Sequence, residues 1–203
     1  MMWSHLFRFL YPGALVLPSD SRLYLSFDDG PTPELTPSVL ELLHAHRISA
    51  TFFFQGEQME KFPHLVNAVR NAGHDIGYHG YRHISGLFCS RKSYLMNFSH
   101  PTGSGIKLIR PPYGRIRPDQ YAALTQKGKK LVFWTHLMAD YATSYSLEKG
   151  EAKLKQLLRS PQGAILVFHD GPKGVHTLAL LSFLLEEAIA HGRNFGRLHE
   201  IAV

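Results

Sequence analysis

Residues 23–31 read Leu23-Tyr24-Leu25-Ser26-Phe27-Asp28-Asp29-Gly30-Pro31. Leu23, Leu25 and Phe27 alternate with Tyr24 and Ser26, which is the period of a β-strand. The run ends on two adjacent carboxylates and a Gly-Pro turn. Thr36 then reads as a helix N-cap with Pro37 at the first helical position. Val39, Leu42, Leu43 and His46 follow at helical spacing. Strand, polar cluster and helix come in that order.

The same unit recurs along the chain. Residues 50–54 form a continuous apolar run, as in a strand buried on both faces. Val66, Val69 and Ala72 mark a helix over 63–72 with Gly73 as its stop. A short strand over 75–78 ends at His79. Residues 84–105 have no clear period, although 94–98 suit a helical turn. Strands are expected at 107–109, 131–134, 164–168 and 194–203, and helices at 118–126, 147–158 and 177–190. Repeated strand–helix units predict an α/β fold with a largely parallel sheet covered by helices. In such folds the site lies at the carboxyl ends of the strands. Four polar clusters fall there: Asp28-Asp29, His79 to His83, Arg110 to Tyr113, and His169-Asp170.

Composition sets the frame. A chain of 203 residues with 44% apolar content suits one globular domain over 1–203, with 1–21 as a lead-in. The net charge of +6 permits an acidic glycan partner, but the charges are spread and no nucleic-acid partner is expected. One cysteine, Cys89, allows no intrachain disulfide. No stretch approaches the ~20 apolar residues of a membrane span. The run near the N-terminus is broken by Arg8 and Pro12, so no clear signal peptide is read and a cytoplasmic location is favoured. Residues 3–17 read as a short amphipathic lead-in that packs on the domain or on a membrane surface, the domain being favoured.

Each cluster has its own chemistry. Of two adjacent carboxylates, one can ligate a metal while the other takes a proton from an activated water. His79 and His83 have the spacing of a metal pair, placed on a loop rather than a helix. With Asp29 they make three ligands and leave positions open, the pattern of a catalytic metal. Two prolines stiffen Arg110-Pro111-Pro112-Tyr113, and Tyr113 carries the first free N–H after them, suited to an oxyanion. Arg110 can keep a carboxylate ionised. His169 ends an apolar strand, with Asp140 as the expected carboxylate partner and Asp170 pointing away. His136 reads as structural, and Cys89 lacks the basic surroundings of a nucleophile.

Taken in order over about 22–198, these segments resemble the polysaccharide deacetylase family (NodB homology domain, carbohydrate esterase family four). The resemblance implies a distorted (β/α) barrel. It implies Asp28 as base, Asp29, His79 and His83 as metal ligands, and Arg110 as the residue that positions Asp28. The Tyr113 N–H would lie in the oxyanion hole, and Asp140 would tune His169 as general acid. Leu166, Trp134, Tyr141 and Pro112 would line the substrate groove. The implied cofactor is a divalent ion, zinc first, with cobalt, nickel or manganese as other choices. The implied reaction removes N-acetyl groups from a sugar polymer or oligomer of the chitin or peptidoglycan type. O-acetyl esters, a small amide, or a silent metal- or glycan-binding module stand as alternatives. The chain departs from the family pattern at Gly80, where Ser or Thr is usual, and at Tyr141, where Trp is usual. Leu137 and Met138 stand where polar residues are common, and the span from His83 to Arg110 is short.

Overall fold

A computed structural model describes residues 9–201. Among them seven parallel strands form one sheet: β1 (Leu23–Asp28), β2 (Thr51–Phe54), β3 (Asp75–Tyr78), β4 (Leu108–Ile109), β5 (Lys130–Leu131), β6 (His136–Leu137) and β7 (Ala164–His169). The helices are α1 (Thr36–Ala45), α2 (Gly56–Lys61), α3 (Pro63–Asn71), α4 (Arg91–Phe98), α5 (Pro118–Gln126), α6 (Leu147–Leu158) and α7 (Thr177–Ala190). No helix among the described residues is long and apolar enough to cross a membrane.

The sheet order is β5-β4-β3-β2-β1-β7-β6. This is the circular order of a (β/α) barrel cut open between β5 and β6. The chain near Leu15 extends the β5 side of the cut. Leu15 N donates to Leu131 O at 2.8 Å, and Phe133 N donates to Leu15 O at 2.7 Å. A cavity of about 680 Å³ lies along this seam, with Val16, Phe133, Trp134, His136, Leu157 and Ala164 in its walls.

Strand period 2 sorts β1 into two faces. Leu23, Leu25 and Phe27 pack with Phe52, Phe54, Leu166 and Phe168 against the helices, where Leu180, Leu181, Leu184 and Leu185 of α7 are fully buried. Tyr24 faces the barrel interior with Phe53, Val132 and Ile165. Ser26 and Asp28 share that inner parity, so Asp28 arrives at the top of the barrel facing inward.

Several expectations need correction. Thr36 is the first residue of α1 and caps nothing; its hydroxyl is held by Asp170 instead. The strand expected over 131–134 ends at Leu131, and the chain pairs again as β6. The closing strand at 194–203 is one bridge, Leu23 to Phe195, followed by a 3₁₀ turn over Leu198–Glu200. α2 lacked an apolar face by which to be found, Met59 being its one buried large side chain. Of the lead-in, Tyr11, Leu15 and Val16 pack into the core, while residues 1–8 lie outside the described part, as do 202–203 of the last expected strand.

Candidate active site

The carboxyl ends of β1, β3, β4 and β7 bring the four polar clusters together. Asp28 is held first. Arg110 has 0% exposure and donates through Nη1 to Asp28 Oδ1 at 2.7 Å and to Ser26 Oγ at 2.8 Å. Its Nε and Nη2 reach Val132 O and Phe133 O, both at 3.3 Å. The guanidinium plane lies over Phe53, 4.1 Å from the ring centroid. A buried arginine with its donors satisfied and a carboxylate on its fork is a stiff mount for that carboxylate. Oδ2 of Asp28 is left facing the site.

Asp29 turns the other way. Its backbone is left-handed, φ 78°, a conformation that Asp tolerates better than most residues. Its Oδ1 accepts from Gln55 Nε2 at 2.9 Å and lies 3.7 Å from His79 Nε2 and 3.3 Å from His83 Nε2. Ligand atoms of Asp29, His79 and His83 all fall within 4.8 Å of one another, close enough to hold one metal ion. His79 supports that reading. Burial pushes its pKa down to about 3, so the ring is neutral. Nδ1 lies 2.8 Å from Arg110 O, which can only accept, so Nδ1 carries the proton. The Nε2 lone pair therefore faces the carboxylates of Asp29 at 3.7 Å and Asp28 at 3.9 Å. A lone pair turned toward two anions is the arrangement a cation resolves.

The His79–His83 segment is a loop, as expected, and its brace is Asn97 of α4. Asn97 Oδ1 accepts from Arg82 N at 2.8 Å and Nδ2 donates to Arg82 O at 2.9 Å. Gly80 has φ 82°, and a Cβ there would stand 2.4 Å from Asn97 Nδ2. The missing side chain at position 80 is thus the room that Asn97 occupies.

His169 carries the opposite wall. Its Nδ1 lies 2.8 Å from Asp140 Oδ1, and its own N–H donates to Asp140 Oδ2 at 2.8 Å. Thr177 Oγ1 donates to the same Oδ2 at 2.6 Å. Burial is the largest single influence on His169 and pulls its pKa down. The hydrogen bond and charge of Asp140, with Asp28 and Asp29 behind them, together outweigh it, and the net shift is upward. Tyr141 sets its ring edge-on to His169 at 4.7 Å.

Tyr113 follows two prolines with φ 60° and ψ 9°, a strained backbone for a residue with a side chain. Its ring lies edge-on to His83 at 4.4 Å. Pro112 is buried, Trp134 is half-buried on the seam cavity, and Leu166 has no exposed surface at all. Asp170 points away from His169, accepting from Gly30 N at 3.2 Å and Thr36 Oγ1 at 2.7 Å. Burial is the first of the influences that push its carboxyl up to about 7. His136 lies in β6, against Thr135 Oγ1 at 2.9 Å, and burial pushes the Cys89 thiol up.

Four supporting residues escaped the sequence reading: Gln55, Ser26, Asn97 and Thr177. Ser26 had a signal, a hydroxyl inside a buried strand two residues before Asp28. Gln55, Asn97 and Thr177 had none, since their partners lie 15 to 37 residues away in the chain.

A model of the family described as polysaccharide deacetylase matches residues 17–132. A peptidoglycan-N-acetylglucosamine deacetylase of Bacillus cereus is 30% identical over 179 residues, 85% of this chain; the match spans 63% of that relative's length. A chitooligosaccharide deacetylase of Sinorhizobium fredii is 31% identical over 159 residues, 73% of this chain and 72% of the relative. A crystal structure of a peptidoglycan N-acetylglucosamine deacetylase with a bound N-oxidanyl-benzamide superposes with a TM-score of 0.82. It is 26% identical, and the match covers 96% of this chain and 95% of that one.

Proposed function

This chain belongs to the polysaccharide deacetylase family, and from that premise we propose that it hydrolyses N-acetyl groups on an N-acetylated glycan. The observation that carries the proposal is the division of labour between neighbours. Asp28 is clamped by Arg110 with one oxygen left over, while Asp29 converges with His79 and His83.

Asp29, His79 and His83 would hold a divalent ion, zinc by the two-nitrogen, one-oxygen ligand set. Such an ion polarises an acetyl carbonyl and acidifies a water, to a pKa of ~7 in good zinc sites. Asp28 Oδ2 takes a proton from the attacking water as its oxygen bonds to the acetyl carbon. Arg110 keeps Asp28 aimed at that moment. The Tyr113 N–H donates to the carbonyl oxygen as it gains charge; losing one such donor typically costs about 2.7–4 kcal/mol. The C–N bond then breaks, and His169 Nε2 gives its proton to the leaving amine. Asp140 fixes Nδ1 as the other protonated nitrogen and favours the imidazolium. The products are acetate and a free amino sugar. Trp134, Tyr141 and Pro112 are proposed as surroundings of the sugar and acetyl group; Leu166 lies on the helix-facing side of β7, opposite in parity to His169, and is fully buried, so the groove position expected for it is corrected to the core.

Asp28→Asn tests the assignment. It keeps the size of the side chain and leaves all three proposed ligands in place. The expected result is zinc bound one to one with acetate release reduced at least a hundredfold. Full activity in that variant would remove Asp28 as the base.

A further inference from the structure

Beside the site, at His83, stands a row of three exposed side chains. Tyr113 is 59% exposed and touches His83. The Arg115 guanidinium lies 5.9 Å from the centroid of the Tyr113 ring and 5.9 Å from that of Phe88. Phe88 is 81% exposed. We propose that Phe88, Arg115 and Tyr113 form a glycan-binding extension of the site, selective for strands in which a carboxylate-bearing sugar lies next to the N-acetylated one. The inference rests on the glycan reading above and adds to it the chemistry of the neighbouring sugar.

Three observations converge. The first is that the row is built. The 3₁₀ turn Gly86–Phe88 is fastened to the chain after β4: Gly86 N donates to Arg115 O at 3.0 Å, Gln120 Nε2 donates to Gly86 O at 2.9 Å, and Arg117 Nη1 donates to Cys89 O at 2.9 Å. A Cβ at Gly86 would stand 2.6 Å from Gln120 Oε1 and 2.7 Å from Arg115 O, so the docking needs a glycine. Phe88 is thus displayed on a braced turn rather than left on a loose one. Phe88 does not stand alone: Leu87 beside it is 49% exposed and Tyr113 59%, so the exposed apolar surface next to the site is a patch of the kind that marks binding surfaces.

The second observation is charge. Arg117 pairs with Asp119, and Arg22 pairs with Asp20 and Glu200. No carboxylate among the described residues pairs with Arg115. Its guanidinium lies at the outer range of cation–π contact with both rings, 5.9 Å from each centroid, and its N–H groups are exposed toward a ligand. A planar fork of this kind matches a carboxylate in two parallel hydrogen bonds. The net charge of +6 favours an anionic strand as well. The third observation is continuity. Tyr113 belongs to the row and, through its ring contact with His83, to the site itself. Aromatic faces suit the C–H faces of sugar rings, so a strand with its reacting sugar at His83 would run outward over Tyr113 and Phe88.

The test uses zinc-loaded protein and two matched probes. One is a peptide-free tetrasaccharide alternating N-acetylglucosamine and N-acetylmuramic acid; the other is its carboxyl methyl ester. The readout is kcat/KM for acetate release. The expected wild-type preference for the acid is about tenfold, shrinking as salt is raised because the pair is exposed. Arg115→Ala should bring the acid-to-ester ratio near one, and Arg115→Lys should keep part of the preference. Phe88→Ala should raise KM for both probes and keep the ratio. A wild type that releases acetate equally from acid and ester overturns this proposal and leaves the deacetylase reading standing. An acid preference that survives Arg115→Ala overturns it too. Release from neither probe counts against the glycan reading, and the extension falls with it.

Discussion

At the scale of single residues the decisive feature is how one carboxylate is kept for each task. Asp28 and Asp29 are adjacent, yet Arg110 holds the first and Gln55 the second. Asp140 does the corresponding work for His169. Removing its charge with Asp140→Asn leaves burial, which lowers the His169 pKa, as the main influence on the ring. The proton needed by the leaving amine is then lost at lower pH. The alkaline limb of the kcat–pH profile should therefore move to lower pH; a limb that stays in place would show that His169 is not the acid. The residues proposed to carry reactive atoms stood out in the sequence because they fall in polar clusters at or just past the ends of apolar strands. Those that hold them did not. Gln55 and Thr177 reach Asp29 and Asp140 only once the barrel has curled, and nothing local to them marks the pairing.

At the scale of elements the site depends on loops that helices brace from behind. The His79–His83 loop is held by α2, whose Gly56 N and Glu57 N donate to Gly80 O and Tyr81 O, and by the Asn97 side chain of α4 at Arg82. Asn97→Ala should leave the sheet and helices intact but weaken zinc binding about tenfold, the lower end for loss of an outer-sphere support. Competition against a chromophoric chelator would measure it, and an unchanged affinity would show that the loop does not depend on Asn97. Helices α5, α6 and α7 were legible to the residue, because each opens at a Pro, a Ser cap or a Thr and keeps helical spacing throughout. α2 was not, since six residues with a single large apolar anchor leave no period to read. β6 was missed for a related reason. Two residues paired to Leu166 and Val167 are too few to alternate.

At the scale of the whole molecule, strand–helix alternation foretold a parallel sheet with its site along one rim. It could not foretell that the barrel stays open between β5 and β6, or that the chain at Leu15 would extend β5 there; both depend on contacts far apart in sequence. The open architecture still gathers β1, β3, β4 and β7 around one point, which is what a metal-assisted hydrolysis requires. The most direct test of that claim is acetate release from an N-acetylglucosamine hexamer by chelator-treated protein, before and after one equivalent of zinc. The account predicts no release before and full release after, with His83→Ala unable to recover. Equal release with and without the ion, or none from protein shown to hold zinc, would contradict it.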